Sequence, residues 1–272
     1  MKYFTILFFI LLASCGIQES KPSEILKVHF LDVSQGLSVL FECNSEFALY
    51  DTGKDSVDFS NILKSYSAET LEWIVLSHFH RDHIGGFLEN KLKTNQIYLT
   101  KDTLKTFLQD SVFKIINKNH FNYSFLYQGD TFSFCGKKIN VLWPPKENFY
   151  SENASSIVLS VSDEKSRILL TGDLPTEEEK KLLNYTRNLK SDLLQIAHHG
   201  SKTSSGIAFL EAVQPNYAII SVGKNSYGHP TEEVLNKLVF VTGDSSKILR
   251  TDLNGNICFH WEQNIGIWLC EN

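Results

Sequence analysis

The chain has 272 residues, of which 42% are hydrophobic, 12% aromatic and 21% charged, with a formal net charge of −5. That is material for one large domain or two small ones with a full core, and it excludes a chain disordered over most of its length. The acidic balance argues against a broad nucleic-acid-binding face while leaving room for a local positive groove.

The chain opens with "MKYFTILFFILLASCG", in which Lys2 precedes an apolar run from Phe4 to Leu12 and small residues lead to Cys15. This is the pattern of a secretory signal, too short to span a bilayer comfortably. "LASC" resembles a bacterial lipobox, which implies removal of residues 1–14 and a diacylglycerol on Cys15. The expected product is an exported lipoprotein of the periplasm or cell surface, held to the membrane by acyl chains, and Gly16 leans it toward the outer membrane. Removal of Lys2 shifts the net charge from −5 to −6. Residues 15–25 form a polar tether, and residues 26–272 form the folded domain.

"VHFLDV", "SVLFEC" and "EFALYDTG" have the character of three strands, the last ending in a turn. "SVDFSNILKSYSAE" carries helical spacing at Val57, Ile62, Leu63 and Tyr66. "LEWIVLS" is a buried strand, "NQIYLT" another, and "TLKTFLQDSVFKIINKN" a helix. "FNYSFLYQGDTFSF", "KKINVLWPP" and "SSIVLSVSDEKSRILLTGD" return to strands, with "DEKS" as a hairpin turn. "TEEEKKLLNYTR" is a helix that Thr176 and Glu179 would start as a capping box. "SDLLQIAHHGS" is strand, "SSGIAFLEAVQ" helix and "NYAIISVG" strand. "HPTEEVLNKLV" is a helix with Pro230 in its first turn, and "KILRTDLNGNICFHW" is a hairpin turned by "NGN". Cys43, Cys135, Cys258 and Cys270 are too widely spaced for a cysteine zinc site. A hairpin centred on Asn264 would set Cys258 opposite Cys270, either bridged, as export permits, or as two buried thiols.

The densest chemistry lies in "SHFHRDHIGG". His78, His80, Asp82 and His83 follow a hydrophobic strand, and imidazole and carboxylate suit Zn, Mn or Fe. Alternation along a strand lets His78 and His80 point the same way. Asp82 and His83, on the next turn, aim at a second point close by, so the spacing suits two adjacent metals. Asp173 ends "RILLTGD", and His198 and His199 end "LLQIAHHG". Strand ends at one sheet edge are where a cleft forms. One of His198 and His199 would bind metal while the other packs behind it; the residues leave open which. Ser201, Lys202, Thr203, Ser204 and Ser205, in "GSKTSSG", offer hydroxyls, charge and a helix N-terminus for a phosphate.

H-x-H-x-D-H after a strand, then "TGD", then a later His, resembles the metallo-β-lactamase-like hydrolases. "FLDVSQGLSVLF", "YDTG", "LSHFHRDHIGGF", "NASSIVL", "LLTGD", "DLLQIAHHGSKTSS", "AIISVGKNSYGHP" and "ILRTDLNGNI" resemble, in the same order, the hydrolase domain of the competence protein ComEC. The resemblance runs from about Leu26 to Ile257. It implies an α+β fold, an αβ/βα sandwich of two β-sheets flanked by helices. It implies that His78 and His80 hold one metal and Asp82 and His83 a second, that Asp173 bridges them, and that His198 or His199 completes the second site. Asp51 would orient a ligand from behind. Asn153 stands where many members place a further His, and Leu37 where "VGQGDS" has an Asp.

The resulting expectation is a metal-dependent hydrolase of phosphodiesters, a phosphodiesterase or nuclease, using two divalent ions, Zn or Mn, to activate water. Asp82 would orient or deprotonate that water, and His229 in "YGHP" would bind a phosphate oxygen or protonate the leaving group. A β-lactam or other amide or ester substrate is the alternative chemistry, and a non-catalytic surface-binding lipoprotein the alternative class. Nucleic acid or a small phosphodiester is the expected partner, with the membrane reached through the lipid; no protein partner can be inferred.

Overall fold

The computed structural model describes residues 25–101, 104–146, 149–263 and 265–271. The signal segment, Cys15 and all of the tether but Ile25 lie outside the described residues. Among these residues, no helix is long and apolar enough to cross a membrane.

Two sheets face each other. The first holds β1 (Ile25–Phe30), β2 (Val39–Cys43), β3 (Glu46–Tyr50), β4 (Leu71–Leu76), β5 (Thr94–Leu99) and β6 (Tyr123–Phe125). The second holds β7 (Thr131–Phe134), β8 (Lys137–Trp143), β9 (Val158–Ser162), β10 (Arg167–Leu170), β11 (Leu193–Gln195), β12 (Tyr217–Ile220) and β13 (Ile248–Arg250). The chain then returns to the first sheet as β14 (Ile257–Glu262) and β15 (Gly266–Leu269). The strand orders are β15-β14-β1-β2-β3-β4-β5-β6 and β13-β12-β11-β10-β9-β8-β7. Each sheet is mixed, with a parallel half from β3 to β6 in the first and from β10 to β13 in the second.

Parallel strands need crossovers and are covered on both faces. Here α1 (Phe59–Ser65), α2 (Arg81–Glu89) and α3 (Phe107–Asn119) cover the first sheet. The second is covered by α4 (Thr176–Tyr185), α5 (Ile207–Val213) and α6 (Glu232–Thr242). Three buried clusters result. Phe30, Phe41, Tyr50, Val141, Leu159 and Phe259 pack between the sheets. Leu49, Ile74, Phe87 and Val112 pack beneath α1–α3, and Leu169, Leu194, Leu210 and Leu238 beneath α4–α6. This is the sandwich expected from the sequence.

Several local expectations fail for identifiable reasons. Thr176 and Glu179 do not form a capping box: Pro175 takes the cap position of α4 without a side-chain bond. Glu179 is buried, and its carboxylate accepts from the amides of Ser205 (2.7 Å) and Gly206 (2.8 Å). Pro230 lies before α6, whose cap is Thr231, accepting from Val234 N. The "NGN" segment is no hairpin turn. β13 belongs to the second sheet and β14 to the first, and the chain crosses through the short helix α7 (Thr251–Asn254). Burial of Ile257, Phe259 and Trp261 in the inter-sheet core outweighs the local turn signal. β14 and β15 do pair as a hairpin, and Cys258 is bridged to Cys270. A second bridge, Cys43–Cys135, joins the end of β2 to the β7–β8 turn and was not legible in the spacing.

Candidate metal centre

The C-terminal ends of parallel strands from both sheets meet at one edge, where open α/β sheets place ligand sites. β3 delivers Asp51, β4 delivers Ser77 to His80, β10 delivers Asp173, and β11 delivers His198 and His199. Tyr50 donates its hydroxyl to Ile157 O (2.6 Å), and Ile157 N donates to Ser77 O (3.0 Å), so the two sheets are tied at this edge. Gln195 Oε1 accepts from Thr171 N (2.7 Å) and Gly172 N (2.9 Å), which fixes the turn carrying Asp173.

Asp82 and His83 lie on the turn after the strand, which is the first turn of α2. The glycine pair after them explains how that helix seats. A Cβ on Gly85 would stand 2.1 Å from Asp55 N, and one on Gly86 2.2 Å from Thr52 O. Only glycine lets α2 approach the β3–α1 loop this closely.

The side chains fall into two trios. His78, His80 and Asp173 form one; Asp82, His83 and His199 form the other, with potential ligand atoms in each trio all within 4.8 Å of one another. Asp173 faces both. Its Oδ1 is 3.1 Å from His83 Nε2 and 3.9 Å from His199 Nε2, while its Oδ2 is 3.9 Å from His78 Nε2. His199 Nε2 is 3.3 Å from Asp82 Oδ2. His199 is buried and is thus the member of the pair grouped with Asp82 and His83. His198 is partly exposed, 3.7 Å from Asp173 Oδ2, and its ring meets that of His229 at 5.7 Å. Both residues of the pair adopt left-handed backbone, φ 53° and 55°, which a non-glycine residue holds only where the surroundings enforce it.

Each buried imidazole is held from behind. His83 Nδ1 donates to Asp51 Oδ2 (2.7 Å), and Asp51 also accepts from Ser77 N and Ser77 Oγ. His199 Nδ1 donates to Ser221 O (2.7 Å), and His78 Nδ1 lies 3.0 Å from Ser77 Oγ. The inward atoms are left without partners. Nε2 of His78, His83 and His199, and Oδ1 of Asp173, are buried and make no hydrogen bond. Buried polar atoms are ordinarily paired, so these four orphans, divided between the two trios, fit divalent cations, which imidazole and carboxylate suit chemically.

The charges agree. Burial opposes ionisation of Asp173, but the imidazoles of His83 and His199 overcome it and hold its carboxyl well below the usual range. Burial opposes protonation of His83, yet the carboxylates of Asp173 and Asp51 push it well above the ordinary value. Burial holds His78 well below it, with repulsion from His83 adding to the effect. Two ionised carboxylates, Asp82 and Asp173, thus face the centre, the kind of charge a divalent cation would balance.

The remaining sequence candidates are placed differently. Ser201 Oγ contacts Thr203 Oγ1, which lies 3.2 Å from His198 Nδ1. Ser204 is buried with an unpartnered hydroxyl, and Lys202 is exposed. The phosphate seat expected at the start of α5 is filled by the Glu179 carboxylate. Thr251 Oγ1 donates to Val222 O (2.9 Å) and so braces the end of β12. Leu37 is fully buried in the inter-sheet core. Asn153, at the start of a short 3-10 turn, has its Oδ1 buried and unpartnered. Its neighbour Glu152 was missed in the sequence. Glu152 Oε2 lies 2.9 Å from His80 Nε2, and nothing in "YSENASS" but adjacency to Asn153 marks it.

A family model described as "Metallo-beta-lactamase superfamily" matches residues 31–224. The chain belongs to the metallo-β-lactamase superfamily. It is 35% identical over 253 residues to "Competence protein ComA" of Neisseria gonorrhoeae, covering 89% of this chain and 33% of that protein. It is 32% identical over 207 residues to "ComE operon protein 3" of Bacillus subtilis, covering 75% of this chain and 26% of that protein. These are relatives of the ComEC type, and the chain spans about a third or less of their length. Among solved structures, the metallo-β-lactamase fold protein YhfI of Bacillus subtilis superposes with a TM-score of 0.56 at 13% identity, covering 87% of this chain and 99% of that one. This is a family of metal-dependent hydrolases, and the His/Asp trios could hold metal.

Proposed function

We propose that this metallo-β-lactamase-fold hydrolase cleaves phosphodiesters, and that it holds two divalent ions, Zn or Mn. The first would be held by His78, His80 and Asp173, the second by Asp82, His83 and His199, with Asp173 shared. The observation that carries the reading is the position of Asp173, one carboxylate oxygen toward each trio. Bound there, the ions supply Lewis acidity, which acidifies a water and offsets charge on a phosphoryl oxygen.

The protein's own groups do the rest. Asp82 is kept ionised against burial by the adjacent imidazoles of His199 and His83, so it can orient a water or take its proton. His229 is pushed below its ordinary value by burial and by His198 and His199. A neutral His229 ring suits hydrogen bonding to a phosphate oxygen better than proton donation. His198, beside both His229 and Asp173, holds that ring in place.

Relatives named for competence support nucleic acid as the phosphodiester. The full donor set weighs against a non-catalytic binding protein. Anchoring through a lipid on Cys15, outside the cytoplasmic membrane, belongs to the same proposal, and two disulfides suit an oxidising compartment. The decisive experiment strips the protein with chelator and reloads it with Mn or Zn. It is then assayed in parallel on bis-p-nitrophenyl phosphate, single-stranded DNA and a chromogenic cephalosporin. Phosphodiester cleavage abolished by His80→Ala is the expected result; cleavage of the cephalosporin alone would overturn the proposal. Loss of radiolabelled palmitate in Cys15→Ala tests the anchor.

A further inference from the structure

Hydrogen-bond direction reveals which nitrogen of each imidazole faces inward. Ser221 O can only accept, so His199 carries a proton on Nδ1 and only Nε2 is left to serve as a ligand. Asp51 accepts from His83 Nδ1 with the same consequence. Ser77 Oγ gives its one proton to Asp51 Oδ2 (2.7 Å), so it accepts from His78 Nδ1. These three rings therefore all turn Nε2 to the centre, and all three Nε2 atoms are buried and unpartnered.

His80 is the exception. Its Nε2 is taken, 2.9 Å from Glu152 Oε2. An ionised carboxylate only accepts, so Nε2 carries a proton and Nδ1 is the nitrogen left to serve as a ligand. His80 nonetheless belongs to the trio with His78 and Asp173, its ring 4.6 Å from that of His78. Glu152 side-chain exposure is 15%, against 37% for His80; the carboxylate is thus the better-anchored partner and can dictate the ring's orientation. Resting on the two-metal reading above, we infer that Glu152 is a positioning residue that binds the outer nitrogen of His80 and so holds its ring in the first metal site.

A carboxylate behind a ligating imidazole fixes its tautomer and raises its basicity, and removing such a partner costs about 10–100-fold in metal affinity. The role matters more here because the neighbouring position holds Asn153, an amide, where many members of the family offer another His. Glu152 acts through His80 and has no need to touch substrate.

The test reads metal, not turnover. Chelator-stripped wild type, Glu152→Ala and Glu152→Gln are titrated with zinc by calorimetry, and the zinc-loaded wild type is labelled with 15N-histidine for NMR. The expected spectrum shows His80 protonated at Nε2 with Nδ1 on the metal, and His78, His83 and His199 reversed. Glu152→Ala should weaken one of two ions about 10–100-fold, and Glu152→Gln, which keeps an acceptor without the charge, should weaken it less. If Glu152→Ala fails to fold, the glutamine variant and the spectrum decide alone. His80 bound through Nε2, or both variants taking up two ions as tightly as wild type, would overturn the inference while leaving the two-metal reading intact. A wild type that binds no zinc would overturn both.

Discussion

The Asp51 carboxylate accepts a 2.7 Å hydrogen bond from Nδ1 of His83, and both side chains are fully inaccessible to solvent. The same carboxylate accepts from the amide and the hydroxyl of Ser77. Asp51→Ala therefore strands three buried donors at once. Stability should fall by roughly 2–4 kcal/mol, and affinity for the ion beside His83 by about 10–100-fold. Urea denaturation and zinc titration of the same variant check the two effects separately.

The adjacent histidines should behave unlike each other. His199 is buried between Asp82 and Asp173, whereas His198 is partly exposed and leans on His229. His199→Ala should lose one of the two ions by metal analysis after dialysis. His198→Ala should retain both and lose catalysis by about 10–100-fold through displacement of His229. Equal metal loss in the two variants would refute this division of roles.

Glu179 predicts a pH dependence of stability. Burial lifts its pKa from 4.5 to about 7, despite the Gly206 and Ser205 amides that favour its charge. The folded protein therefore retains, between those values, a proton that the unfolded chain has lost. Stability is greatest below pH 4.5 as far as this group is concerned and declines as pH rises to about 7, by on the order of 3 kcal/mol. Glu179→Gln should remove that component, so its stability relative to wild type should improve from pH 5 to pH 8 in paired denaturation curves.

Gly200 follows the histidine pair at φ +81°, and a Cβ there would stand 2.5 Å from the Pro230 Cβ. Gly200→Ala should cost about 1–3 kcal/mol from backbone strain alone, and should push the Pro230 segment and His229 outward. The expected outcome is a lower melting temperature, with a rise in KM for bis-p-nitrophenyl phosphate exceeding any loss of bound metal.

Much of this architecture is local enough to be legible in the chain. Continuous apolar runs such as "LEWIVL" bury on both faces and mark their own strands, and the polar turns beside them mark where functional side chains emerge. The histidine and aspartate types, clustered after such a strand, declare a cation site by their chemistry. What the chain could not disclose depends on contacts between distant segments. Glu152 meets His80 across 72 positions because β4 and the loop before β9 end at the same edge of facing sheets. Glu179 is drawn from its expected capping role to the amides of Ser205 and Gly206, 26 and 27 residues away. Cys43 finds Cys135 only because two sheets face each other, and "NGN" yields its hairpin to the inter-sheet core. Residue type and periodicity thus fixed the elements and the kind of chemistry. Packing of the two sheets decided which imidazole faces inward and which carboxylate stands behind it, because burial leaves each polar atom only the partners that the tertiary structure brings to it.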